Sequence, residues 1–393
     1  MIDRSPAQEL SDHLATSGHL RTPEWKVVFA TVPRHEFVPV FFEQSDPGHW
    51  HRVDGADSGQ HHRWLSAVYS DTTLVTGLED VVLPETNGNE RFAVAVSSST
   101  APGLMAQMLE DLDVHAGHTV LEIGTGTGYN AALLCERLGD NRVFSVELRT
   151  NQVDAATLNL GRAGYHPTVA AADGADGLPA HGPYDRIIAT CSVQYIPPAW
   201  IDQLRPGGML LADLEGTIYA GNLAALRRHD TPLLEGRFSA RYGSFMPMQH
   251  QLDIYPGPSY PTDPSTATER TSTLSPNFLH QRQLPFAFYT QLHLPPGTQL
   301  QLAAAGARTR LVTPGGSWCE ITNQADHSEH HHLTEGGPQP LWHLIEQVHE
   351  QYTALGHPGW ERFGITATPT EQHVWLDNPD SETTWPLTVT GTP

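Results

Sequence analysis

The chain is almost without lysine: Lys26 stands alone and every other basic residue is arginine. With 22 basic against 44 acidic residues, its formal net charge is −22. Such a surface repels duplex nucleic acid and anionic lipid at long range, so neither is an expected partner. A peptide, above all one with basic stretches, is compatible with it. Cysteine is scarce as well. Cys135, Cys191 and Cys319 lie far apart with no C-x-x-C spacing, so no disulfide framework is expected and a cytoplasmic setting is the simpler one. No apolar run approaches the roughly twenty residues of a membrane span. The opening "MIDRSPAQEL" has neither the basic nor the apolar segment of a secretory signal.

The 393 residues suffice for about two or three domains. In residues 1–85, Ser5-Pro6 and Thr22-Pro23 read as helix starts. "EQSDPGHWHRVDGADSGQHHRW" reads as a polar surface loop. Residues 86–250 alternate strand with helix. "HTVLEIG", "RVFSVE", "PTVAAADG", "YDRIIATC" and "MLLADL" are short apolar runs. Between and around them lie the helical "APGLMAQMLEDLDV", "YNAALLCERLG", "NQVDAATLNLGRAG" and "PAWIDQLRPGG". This alternation predicts a parallel sheet with crossover helices. The Pro-, Ser- and Thr-rich stretch 254–277 reads as a linker. Residues 265–393 are expected to form a small α+β unit. Its strands are "FAFYTQLHL", "TQLQLAAAG", "TRLVTPGG", "SWCEIT" and "HVWLDNP", and its helix is "LWHLIEQVHEQYTALG".

The densest chemical signal is the turn of Gly124, Gly126 and Gly128, with Thr125 and Tyr129, between a strand and a helix. Glycine there permits a sharp turn and a close ligand. Glu147, followed by Leu148, ends the next strand, where a carboxylate can accept from ribose hydroxyls. Asp173-Gly174 closes the third strand. A dinucleotide turn wants a third glycine at position 129, which is Tyr here. S-adenosylmethionine, with ribose and adenine but no phosphate, suits the pattern better.

On these motifs the centre of the chain, from about residue 23 to 214, resembles a protein-L-isoaspartate O-methyltransferase. The resemblance rests on an ordered series: "VPRHEFVP" (32–39), "AVYSDTTL" (67–74), "SSSTAP" (97–102), "VLEIGTGTGYNAALL" (120–134), "SVE" (145–147), "ADGADGLP" (172–179), "YDRIIAT" (184–190) and "IPPAWIDQLRPGG" (196–208). It implies a Rossmann-like class I methyltransferase fold, here with an N-terminal helical segment and an additional C-terminal α+β domain. It implies a carboxyl methyltransferase using S-adenosylmethionine. Gly124, Gly126 and Gly128 would lie against the methionine part, Glu147 on the ribose, and Asp173-Gly174 at the adenine. Ser98, Ser99 and Thr100 would orient the acceptor carboxylate, in a pocket expected to include Tyr69, Asp71 and Val193.

Two departures stand out. The family's usual Ser-Gln-Pro is Thr100-Ala101-Pro102 here, and "SVQY" (192–195) replaces a small, alanine-rich stretch. These features, with "GRFSARYGSFMPM" (236–248) and "HPGWERFGITATP" (357–369), resemble a branch that tailors ribosomally made peptides: lanthipeptides, lasso peptides and graspetides. That branch implies an L-aspartate acceptor in a constrained, macrocyclised precursor peptide, and an ester that closes to an aspartimide. Repair of isoaspartyl residues, and a non-catalytic peptide-binding module, stay open as alternatives. No metal is expected: "DHSEHHH" (326–332) reads as a solvated loop. Cys191 reads as a buried filler, and Arg34 and Glu36 as parts of a structural turn. The C-terminal unit is expected to recognise the precursor peptide or to shape the acceptor cleft.

Overall fold

The structure is a computed structural model that describes residues 5–46, 49–82, 91–249, 260–302 and 307–387. At its centre five strands run parallel, in the spatial order Thr168–Ala171, Val143–Glu147, Val120–Ile123, Tyr184–Val193 and Leu204–Glu215. Val120–Ile123 is buried at every position, as expected of a strand covered on both faces. The helices Tyr129–Leu138 and Thr150–Ala163 make the crossovers. From Val120–Ile123 the chain passes to Val143–Glu147 on one side and later to Tyr184–Val193 on the other. The crevice at that reversal, beyond the carboxyl ends of the strands, is where such sheets hold ligands.

Beyond Leu204–Glu215 the sheet continues antiparallel through Gly221–Arg228 and Leu234–Phe238. The C-terminal strands Phe363–Ala367, Gln372–Leu376 and Thr384–Pro386 then extend the same sheet. Residues 265–387 also supply a five-stranded antiparallel sheet and the helix Leu341–Ala354. One apolar cluster runs from Leu121 and Ile187 to Trp342, Phe363 and Val374. The C-terminal region thus completes the central sheet and shares its core. "FAFYTQLHL" is a helix, Pro285–His293, instead of the expected strand. Part of the expected linker, 254–259, lies outside the described residues; its later part includes the strand Thr268–Ser272.

The N-terminal region carries the expected helices Pro6–Thr16, with Ser5 accepting from the Gln8 N–H, and Pro23–Thr31. The expected loop is different. It folds into a hairpin, Val40–Asp46 with His49–Asp54, followed by the helix His61–Val68. Strands Leu74–Val82 and Arg91–Ser99 join the hairpin in a four-stranded sheet. A second apolar cluster seats this region on the helices Pro102–Asp111 and Tyr129–Leu138 through Phe29, Phe37, Met105, Met108 and Leu133. Among the described residues no helix is long and apolar enough to cross a membrane.

Candidate functional site

The strand ends and the glycine turn frame a cavity of about 370 Å³, within the range of small-molecule sites. Gly124, Gly126 and Gly128 have φ of 92°, 54° and 88°, the left-handed region that favours glycine. Space adds a second reason. A Cβ on Gly124 would stand 2.8 Å from Thr190 Oγ1. Thr190 Oγ1 donates to the carbonyl of Gly124 at 2.6 Å, tying the turn to the neighbouring strand. Thr125, Tyr129, Glu147, Leu148 and Gly174 all line the cavity.

Glu147 does more than face the ligand space. Its Oε2 accepts from the Gly126 N–H at 3.1 Å. The end of the second strand is therefore tied to the glycine turn through one carboxylate. Asp173 differs from expectation. It does not line the cavity; its Oδ1 accepts from the Ala175 N–H at 2.8 Å and caps the short turn Gly174–Asp176. The backbone at Gly174 takes the lining position. A side chain there would collide with Ile123 and Met248.

Below the turn lies a network that the sequence did not reveal. Glu122 is fully buried and accepts from Asn130 Nδ2 at 2.8 Å and from the Ser145 hydroxyl, which Thr125 Oγ1 meets at 2.6 Å. Burial pushes the Glu122 carboxyl up from 4.5 to about 7. The folded protein then keeps a proton that the unfolded chain releases near pH 4.5. Between about pH 4.5 and 7 this group's contribution to stability falls as pH rises, and above about 7 it is flat. Asp213 and Glu215, pushed up to about 8 and about 7 by burial, act in the same direction. Glu122→Gln removes one of the three. Thermal melts from about pH 5 to about pH 7.5 should show the wild type losing Tm relative to Glu122→Gln as pH rises. Parallel curves would show that Glu122 does not titrate in that window.

Across the cavity stands the acceptor segment. Ser97, Ser98, Ser99 and Thr100 line it, and the Ser98 carbonyl oxygen lies 3.7 Å from where a Gly126 Cβ would be. The structure therefore brings the expected acceptor residues over the glycine turn. Ser99 is only 3% exposed and belongs to the strand Arg91–Ser99. Neither it nor Thr100 caps the helix Pro102–Asp111, whose N-cap position is Ala101. Asp71 serves that end: its Oδ1 accepts from the Gly103 N–H at 2.6 Å.

Three expected pocket members do not line the cavity. Asp71 is spent on the helix end. Tyr69 turns its hydroxyl to His35 Nδ1 at 2.6 Å. Val193 packs in the core, while Thr190 and Cys191 on the same strand face the ligand space. Burial raises the Cys191 thiol far above its usual range, which leaves a neutral filler and no nucleophile.

Arg34 has a larger part than the structural turn expected of it. It is 0% exposed. Its Nη1 donates to the carbonyls of Val68 and Ser70 at 2.7 and 3.1 Å. Its Nη2 donates to those of Thr72, Ser99 and Thr100 at 3.2, 3.3 and 3.1 Å. The guanidinium also lies 5.8 Å from the Tyr129 ring centroid. One side chain thus joins the N-terminal region, the acceptor segment and the first residue of the helix behind the glycine turn.

The segment Ser244–Gln249 forms the remaining wall. The Ser192 N–H donates to the Met246 carbonyl, and the Met248 N–H to that of Ser192, both at 2.9 Å. Among the described residues no group of three or more His, Cys, Asp or Glu could hold a metal ion. His331 of the histidine-rich run is buried, with Nδ1 2.7 Å from the Thr322 carbonyl oxygen.

The residues present fit S-adenosylmethionine. The cradle is glycine, the strand-end acid faces the cavity, and Arg149, a cation beside it, is paired with Glu79. Comparison with known proteins agrees. A family model described as protein-L-isoaspartate(D-aspartate) O-methyltransferase matches residues 63–248. A protein-L-isoaspartate O-methyltransferase of Methanococcoides burtonii is 38% identical over 156 residues, 39% of this chain and 68% of that protein. One of Methanopyrus kandleri is 31% identical over 213 residues, 53% of this chain and 77% of that protein. A solved structure named protein-L-isoaspartate O-methyltransferase superposes with TM-score 0.53 at 22% identity, covering 95% of this chain and 100% of its own. The class I methyltransferase fold is thereby shown. That coverage extends into the C-terminal region.

Proposed function

Because the chain belongs to the protein-L-isoaspartate O-methyltransferase family, we propose that it is an S-adenosylmethionine-dependent carboxyl O-methyltransferase that esterifies an aspartyl carboxylate in a peptide or protein. The observation that carries this reading is the stacking of the acceptor segment over the glycine turn within one cavity. S-adenosylmethionine supplies, when bound, an electrophilic methyl group. The chain's task is to hold a carboxylate oxygen in line at about 3 Å and to exclude water. An aspartyl carboxylate is already ionised at neutral pH, so no general base is needed. Ser98, Ser99 and Thr100 offer weak donors that orient the oxygen without over-stabilising its charge.

We take the finer substrate to be the side chain of an ordinary L-aspartate in a constrained, ribosomally made precursor peptide. Thr100-Ala101 in the acceptor segment and "SVQY" beside the cavity strand support it. Methanol then leaves as the next residue's amide nitrogen closes on the ester carbonyl, giving an aspartimide. Repair of isoaspartyl residues is the second reading, favoured by the names of the relatives.

Mass spectrometry after incubation with S-adenosylmethionine separates them. The substrates are an isoaspartyl peptide and the macrocyclised precursor encoded beside the gene. The expected product is the precursor alone, first as its methyl ester and then lighter than the starting peptide by one water. Methylation of the isoaspartyl peptide alone would establish repair.

A further inference from the structure

One cation of the cavity has no part in the mechanism so far. Arg282 lines the cavity and is exposed to solvent. It follows the turn Pro276–His280 and lies outside the residues 63–248 that match the family model. Its guanidinium sits 4.6 Å from the Tyr219 ring centroid and makes no hydrogen bond to a described residue.

The ring beneath it is deliberately placed. Tyr219 holds φ at 63°, a conformation that costs a non-glycine residue energy. Gln291 fixes its turn: Nε2 donates to the Ala220 carbonyl at 3.0 Å, and Oε1 accepts from the Ile218 N–H at 3.3 Å. Gln291 belongs to the helix Pro285–His293, which begins three residues after Arg282. The guanidinium and the glutamine that fixes the turn therefore come from one segment. Nearby Glu215 feels the Arg282 charge, while burial resists its ionisation. The other cation of the cavity is committed: Arg149 pairs with Glu79 and donates to Gln249 Oε1 at 2.7 Å.

Building on the carboxyl-methyltransferase reading, we propose that Arg282 captures the acceptor carboxylate at the cavity mouth and makes an aspartyl anion preferred over a neutral amide. A chain of net charge −22 repels an anionic acceptor, and an uncommitted guanidinium on a stacking platform offsets this locally. The charge of the carboxylate disappears as the methyl is transferred. A cation contact at the cavity mouth therefore adds nothing to the transition state beyond what it gives the bound acceptor, and its loss weakens binding without slowing transfer.

The test uses the full chain, with Arg282→Gln, Arg282→Lys and Tyr219→Leu beside the wild type. Rates are measured with S-adenosylmethionine and the aspartyl and isoaspartyl peptides. Calorimetry, with S-adenosylhomocysteine present, compares each aspartyl peptide with its asparaginyl counterpart. Arg282→Gln should raise the peptide KM about tenfold while kcat and cofactor affinity hold. It should also abolish the preference for aspartyl over asparaginyl peptide. Arg282→Lys should recover part of both, and Tyr219→Leu should show a smaller rise in KM. An unchanged peptide KM, an equal loss in kcat, or a raised KM for S-adenosylmethionine in its place would overturn the proposal. If the wild type methylates neither peptide, the methyltransferase reading fails, and the calorimetric preference still decides the role of Arg282.

Discussion

Glu147→Ala is expected to weaken S-adenosylmethionine binding by about two orders of magnitude. A carboxylate that accepts from two ribose hydroxyls makes charge-assisted hydrogen bonds, each contributing about 1.5–3 kcal/mol. One such bond is tenfold or more in affinity, and two together reach about a hundredfold. Glu147 has a second duty. Its Oε2 accepts from the Gly126 N–H, so its loss also frees the middle of the glycine turn. Glu147→Gln keeps an acceptor for Gly126 but loses the charge, and should fall between the two. Calorimetry with S-adenosylmethionine reads the effect directly, without an acceptor peptide. An affinity within twofold of wild type for Glu147→Ala would remove Glu147 from the cofactor site.

The legible parts of this protein share one property: their signal is local. The Val120–Ile123 strand is buried on both faces, so its apolar run needs no knowledge of distant residues. The glycine turn follows from spacing alone, and Glu147 from its place at the end of the next strand. What could not be read depends on pairing and packing that no local pattern announces. The hairpin of Val40–Asp46 and His49–Asp54 is largely exposed, so no apolar alternation marks it; pairing hydrogen bonds make it. "FAFYTQLHL" has the aromatics of a strand, yet Pro285 opens a helix whose Ala287, Phe288, Tyr289 and Thr290 are all buried. Tertiary packing there overrides local preference. Phe363–Ala367 extends the central sheet by pairing with Leu234–Phe238, more than a hundred residues earlier, and no periodicity announces such a neighbour. Asp71 and Tyr69 lie in the right region of the sequence but turn toward Gly103 and His35.

Arg34→Met should cost activity and stability together while leaving S-adenosylmethionine affinity near wild type. The guanidinium serves the carbonyls of Val68, Ser70, Thr72, Ser99 and Thr100. Burial lowers its pKa from 12.5 to about 10, so it stays charged at neutral pH. A buried acceptor left unpaired costs about 1–3 kcal/mol. With some relaxation and water entry, roughly 3–5 kcal/mol is expected for the set, a fall in Tm of roughly 4–6 °C for a chain of 393 residues. The acceptor segment loses its anchor, so methyl transfer to the peptide should drop at least about tenfold, since small misplacements of reacting groups are costly. The glycine turn and Glu147 do not contact Arg34 through any of these bonds, which is why cofactor binding should survive. Arg34→Lys supplies three donors without the planar fork and should recover only part of the loss. A purely structural Arg34 would lower Tm and leave kcat/KM of the folded protein at wild-type level below the melting range. That result would detach Arg34 from the acceptor segment's positioning, whereas a kcat/KM loss with partial rescue by lysine would place it there.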